Sequence, residues 1–272
     1  MKTLNYHRPA RSDRRAVVQM LAVAMLLPAL PAQAQMAVST AINRVARFRA
    51  LSQRVAKAYC QIHLDVLPGP SRAALASARQ QMQAGFVDLD KGQWPADVAR
   101  LLIEVRKHAQ TLDGLADLQP TKESVAAVAQ QSDRMLAAAD AATVAFEKLG
   151  KAGTARLVNT AGRQRMLSQR LAKNYGLLAA GLASKGAQDS MQADATEFKQ
   201  ALATLAAAPV STSAIRSELA LGEAQWLFFD TALQRKPDVR GLEAVATTSE
   251  RLLEVMDKLT GLYDAALKEV LG

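Results

Sequence analysis

The 272-residue chain holds one cysteine, three histidines and few aromatic residues, with Phe, Trp and Tyr making up 4% of it. A lone cysteine excludes an intrachain disulfide, so the fold must rest on an apolar core, which a chain of this length can supply. Cys60 itself is expected as a small buried apolar residue. His7, His63 and His108 share no metal-ligand spacing with one another or with Cys60, and there is no C-x-x-C-H haem site. His63 and Asp65 read as a helix-end pair rather than a catalytic dyad. P-loop, G-x-G-x-x-G and G-x-S-x-G patterns are missing as well. Glu104, Glu123, Glu197, Glu223 and Glu250 are scattered without the pairing that acid–base chemistry needs. These gaps argue against an enzyme and imply no cofactor and no metal. No window alternates apolar and polar residues long enough to predict a strand.

What is present begins with an export signal over residues 1–34. Lys2, Arg8, Arg11, Arg14 and Arg15 form a basic n-region, an apolar stretch runs from Ala16 to Leu30, and Ala32-Gln33-Ala34 is an A-x-A cleavage site. Gln19 and Pro28 interrupt that stretch, which is shorter than the roughly 20 residues of a membrane helix. Cleavage after Ala34 is therefore expected. An uncleaved anchor is the alternative, and the residues around Arg14-Arg15 fit a twin-arginine signal poorly. Removing residues 1–34 takes away five basic residues and one acidic residue, so the formal net charge falls from +9 to +5. The weakened basicity argues against a nucleic-acid partner. A periplasmic location is expected, with no membrane span left after cleavage.

The remainder is rich in Ala, Leu, Gln, Arg, Lys and Glu, which is the composition of helices. Breakers divide it into eight predicted helices, four per half. The first four cover 37–66, 71–90, 96–118 and 121–149, with Thr121 as an N-cap and Glu123 just inside. The second four cover 154–184, 187–207, 212–235 and 239–270. The expected fold is all-α, with two tandem antiparallel four-helix bundles over 35–150 and 151–272 packed as an intramolecular pseudo-dimer. The fourth and fifth helices could also run through Gly150 as one rod. Trp94, Trp226, Phe228 and Phe229 are expected as core anchors.

The halves repeat each other. Residues 41–60, AINRVARFRALSQRVAKAYC, return as 157–176, LVNTAGRQRMLSQRLAKNYG. Asn43, Arg47, Arg49 and Leu51-Ser52-Gln53-Arg54 match Asn159, Arg163, Arg165 and Leu167-Ser168-Gln169-Arg170, and Lys57 and Tyr59 match Lys173 and Tyr175. Farther on, Ser132-Asp133-Arg134 matches Ser249-Glu250-Arg251, and Phe146 matches Tyr263. The middle helices align poorly. Such a tandem duplication can build within one chain the interface that a homodimer builds between two.

On a 3.6-residue period, Leu157, Leu167, Leu171 and Leu178 form a core stripe. A neighbouring face of mostly small residues carries Ala161, Gly162, Arg165, Ser168 and Gln169. Its first-copy equivalent carries Val45, Ala46, Arg49, Ser52 and Gln53. If these faces pack together, Arg49 and Arg165 converge, and two close guanidiniums repel unless an anion lies between them. A small planar anion can accept paired N–H bonds from a guanidinium. The plain reading stands beside this one: helical arginines are ordinarily solvated or paired with carboxylates, and small-residue stripes arise wherever helices cross closely.

Asn159-Thr160-Ala161-Gly162-Arg163-Gln164-Arg165-Met166-Leu167-Ser168-Gln169-Arg170 resembles the signature of the type IV pilus methyl-accepting chemotaxis transducer N-terminal (PilJ-type) domain. It is also similar to the periplasmic sensor module of nitrate/nitrite-responsive histidine kinases. The resemblance implies a four-helix bundle whose first helix bears the motif. It further implies binding of nitrate or nitrite at a two-fold interface, through Arg165 and its counterpart Arg49. Gly162 matches the family glycine. The first copy departs with Ala46 in place of glycine, Phe48 in place of glutamine and Ala50 in place of methionine. The expected site is Arg49 and Arg165 as the clamp, Gly162 and Ala46 at the close approach, and Asn43, Asn159, Ser52, Ser168, Gln53 and Gln169 as orienting groups. The expected function is that of an accessory sensory protein that binds a small anion and hands its signal to a membrane-bound receptor or other periplasmic protein. The alternative is a ligand-free helical module docking on a membrane receptor, pilus or transport component.

Overall fold

Caps and breakers end the helices close to where the sequence places them. In a computed structural model describing residues 32–150 and 152–271, the helices are α1 Ala32–His63, α2 Pro68–Leu89, α3 Ala96–Ala116, α4 Lys122–Leu149, α5 Ala152–Ala179, α6 Ala187–Ala206, α7 Ser213–Leu233 and α8 Val239–Leu271. The all-α class is as expected, with no strand among the described residues. Thr121 caps α4 as predicted. Its Oγ1 accepts from Ser124 N at 3.2 Å, and its own N–H donates to Ser124 Oγ at 2.8 Å, a reciprocal arrangement that satisfies two otherwise orphaned donors. Thr212 caps α7 by accepting from Ile215 N. Gly150 closes α4 in an extended conformation, so α4 and α5 are separate helices and not one rod. The export-signal reading lies outside the described residues up to residue 31; Ala32–Ala34 open α1.

Two hydrophobic clusters fill the protein. One joins Phe48, Phe86, Leu112 and Phe146 from α1 to α4, and takes Val158 from α5. The other joins Leu167, Phe198, Phe229 and Tyr263 from α5 to α8, and takes Ala50 from α1. Each is anchored by a ring stack, Phe48 on Phe86 at 4.3 Å and Phe198 on Trp226 at 4.2 Å between centroids. Trp94 packs edge-on against Phe146. Phe228 departs from expectation: it is 61% exposed. Trp226 and Phe229 already occupy the inward arc of α7, and the two positions between them, Leu227 and Phe228, turn to water.

α1 packs on α2, α4 and α5, and α5 packs on α6, α8 and α1, the α1–α5 contact being the most extensive between any two helices. Small residues allow this closeness. A Cβ on Gly162 would lie 3.5 Å from the Ala46 Cβ, and one on Gly176 would lie 3.3 Å from Cys60 Sγ. Residue 46 thus meets its own repeat-equivalent, and so does residue 60. α1 and α5 therefore run parallel and in register over at least fourteen residues, about 21 Å of helix.

Candidate functional site

The seam between α1 and α5 is polar where helix seams are usually apolar. Arg49 and Arg165 are each 1% exposed, and Ser52, Gln53, Ser168 and Gln169 are fully buried. Arg49 Nη1 donates to Asp140 Oδ1 at 2.7 Å, and its Nη2 crosses to Asn159 Oδ1 on α5 at 2.5 Å. Arg165 does the converse: Nη1 donates to Asp257 Oδ1 at 2.9 Å, and Nη2 crosses to Asn43 Oδ1 on α1 at 3.0 Å. Arg47 joins Arg165 on Asp257, while Arg163 pairs with Glu197 and lies 3.8 Å from Asp140. Sequence reasoning brought the two arginines to one interface, and the structure places both there, buried. Their charges are met by the carboxylates of Asp140 and Asp257, which the sequence reading did not single out. Asn43 and Asn159 bond directly to the guanidiniums.

The serines and glutamines serve the helices more than the seam. Ser52 Oγ donates to Arg49 O, and Ser168 Oγ to Arg165 O, each one turn back on its own helix. Gln53 Nε2 donates to Ser132 O on α4 and Gln169 Nε2 to Ser249 O on α8, tying each motif helix to the last helix of its half. The Oε1 atoms of both glutamines are buried without a hydrogen-bond partner among the described residues. Gly162 and Ala46 face each other at the crossing, as expected of close approach.

A second charged level lies two turns farther along. Lys57 Nζ pairs with Glu250, which also receives Arg54 Nε at 3.2 Å. The equivalent Lys173 Nζ donates to Asp133 Oδ1 at 2.5 Å, while Arg170 Nε turns to Asp194 Oδ2 at 2.7 Å. These lysines were visible in the repeat but were given no role.

Burial dominates the electrostatics. It lowers Arg165 to about 10, against the pull of Asp257 and with help from Arg47 and Arg49. It lowers Arg49, Lys57 and Lys173 too, each opposed by its carboxylate. Both arginines stay charged at neutral pH, so the seam needs its counter-charges. Cys60, pushed up to about 12 by burial, is a neutral thiol at physiological pH.

Glu250 titrates with a clear sign. Burial would raise its pKa, but the charges of Lys57 and Arg54 overcome it and hold the carboxyl near about 2, below its ordinary value of 4.5. A folded-state pKa below the unfolded one gives stability that is complete above about pH 4.5 and is lost as pH falls toward 2. Urea midpoints measured from pH 5 to pH 2 should therefore fall more steeply for the wild type than for Glu250→Gln. Parallel curves would show that Glu250 is not so held.

Residues 150–236, which include α5 to α7, match the family model of PilJ, described as type IV pili methyl-accepting chemotaxis transducer N-term. That stretch is thus similar to the N-terminal module of chemotaxis transducers, as the motif on α5 suggests. No curated protein and no solved structure matches the chain. No helix among the described residues is long and apolar enough to cross a membrane. Nor do those residues contain a group of three or more His, Cys, Asp or Glu that could hold a metal ion.

Proposed function

We propose that the chain is an exported, periplasmic accessory sensory protein. Its tandem four-helix domains, residues 35–150 and 151–272, form an intramolecular pseudo-dimer that takes a small planar anion, nitrate or nitrite, between Arg49 and Arg165. The observation that carries this reading is the pair of buried guanidiniums, each reaching across the seam to a neutral amide oxygen of the other helix. An anion brings a full opposite charge to N–H groups that now donate to neutral amide oxygens, and that added attraction lets it displace Asn43 and Asn159 from the guanidiniums. Each charge-assisted bond contributes roughly 1.5–3 kcal/mol, and several of them, less the cost of association, give about micromolar affinity. Freed asparagines would let α1 shift against α5, a change that a membrane-bound receptor or another periplasmic protein could read.

A second reading has its own support. Each guanidinium already holds a carboxylate, as a ligand-free seam in a docking module would require. Calorimetric titration of the purified protein with nitrate, with chloride as control, separates the two. The sensing reading expects a saturable heat and a raised melting temperature in millimolar nitrate, both lost in Arg165→Ala. Silence to nitrate and nitrite, together with weaker capture of a receptor by Arg165→Ala, would establish the docking module instead.

A further inference from the structure

The second charged level has diverged between the two sides of the seam. On one side of the seam, Glu250 of α8 receives both Arg54 and Lys57 of α1, and the cavity beside it, lined by Gln61, Leu67, Pro70 and Glu250, measures about 290 Å³. On the other side the glutamate is replaced by Asp133 of α4, one methylene shorter. It reaches Lys173 alone, and Arg170 turns away to Asp194 on α6. The groove opened there, between α4, α5 and α6, measures about 620 Å³, within the roughly 300–1,000 Å³ typical of small-ligand sites.

The lining sets charged groups, Asp133 and Asp194 among them, against apolar wall. Lys173 is 2% exposed and lines the groove with Arg170 and Asn174, while Leu136, Leu177 and Leu182 supply apolar wall. The α6 N-terminus stands at this groove too: Ala187 and Ser190 line it, and its N-cap Gly186 provides no side-chain acceptor. Helix N-termini favour negative charge. Asp133, the group now pairing with Lys173, has a side chain 55% exposed, so it can swing into water at little cost.

We propose that this groove binds a small organic carboxylate with an apolar tail, the carboxylate displacing Asp133 from Lys173 and the tail lying against Leu136, Leu177 and Leu182. Asp133 is then an internal competitor that occupies the lysine when no ligand is present. The equivalent place between α1 and α8 lacks the site because Glu250 keeps both cations closed. The site is separate from the arginine level and does not depend on nitrate binding there.

The test is calorimetric titration of the full chain with hexanoate, with hexanol and nitrate as comparison solutes. Saturable binding of hexanoate and none of hexanol is expected. Asp133→Asn should tighten hexanoate several-fold by removing the competitor, an outcome that a purely structural Lys173–Asp133 pair does not produce. Lys173→Met should weaken it by about tenfold or more, the loss of one charge-assisted bond. Should Lys173→Met fail to fold, Asp133→Asn decides alone. Equal or weaker affinity in Asp133→Asn, binding of hexanol as tight as that of hexanoate, or no saturable hexanoate heat in wild type and Asp133→Asn overturns the proposal. Any nitrate heat should be unchanged in Asp133→Asn, which keeps the outcome for this groove distinct from that for the arginine level.

Discussion

Asp257→Ala is expected to destabilise the protein by about 3 kcal/mol, the lower end of what is lost when one member of a buried ion pair is removed. Arg165 is fully buried, and Asp257 supplies its only carboxylate among the described ion pairs. Without it, the guanidinium keeps Asn43 as a neutral acceptor, and its charge is left beside those of Arg47 and Arg49. A domain of this size shifts by about 2–4 °C per kcal/mol, so the melting temperature should fall by roughly 6–12 °C. Asp140→Ala should cost less, because the Asp140 side chain is 43% exposed against 30% for Asp257. Thermal melts of the two variants check the order. A change below about 2 °C in Asp257→Ala would mean that the seam arginine does not depend on this carboxylate.

Phe198→Ala is expected to cost about 4 kcal/mol, within the range for truncating a buried phenylalanine. Its ring is completely buried, and Trp226 stacks on it 4.2 Å away at an interplanar angle of 15°. Removing it strips one face of the tryptophan and leaves a void that rigid neighbouring helices fill only in part. Phe228→Ala, two residues past Trp226, should change stability by less than about 0.5 kcal/mol because its ring already stands in water. Denaturant midpoints for the pair would reveal a wrong burial pattern at once: similar losses in both variants contradict it.

How far the sequence could be read follows from what its signals encode. Helix existence came from composition and breakers, and the observed helices begin and end within a few residues of Pro68, Thr121, Gly150, Pro209 and Pro237. The duplication located the seam, because Gly162 and Gly176 in one copy and Ala46 and Cys60 in the other are the small residues that let backbones meet. The counter-charges were harder to see. Asp140 and Asp257 stand at the same offset as Ser132 and Ser249, so extending that alignment by eight residues would have paired them. What no spacing rule could show is which way a long arginine side chain turns: toward solvent, a ligand or an aspartate on another helix. Phe228 was misplaced because the four consecutive residues Trp226, Leu227, Phe228 and Phe229 cannot all face inward on a 3.6-residue period, and composition alone does not say which are left outside. The two-against-one sharing of Glu250, and its loss at Asp133, needed distances.

Because both motif helices belong to one polypeptide, the Arg49–Asn159 and Arg165–Asn43 bonds form at a local concentration fixed by the covalent connection between them. Dilution cannot separate them, and the unfolding midpoint should be the same at nanomolar as at micromolar protein, unlike that of an obligate homodimer. The covalent link also frees each copy to change alone. In a homodimer every substitution falls on both sides of the axis, whereas here phenylalanine can occupy position 48 while glutamine is kept at 164, and Lys57 can share its glutamate with an arginine while Lys173 holds an aspartate alone.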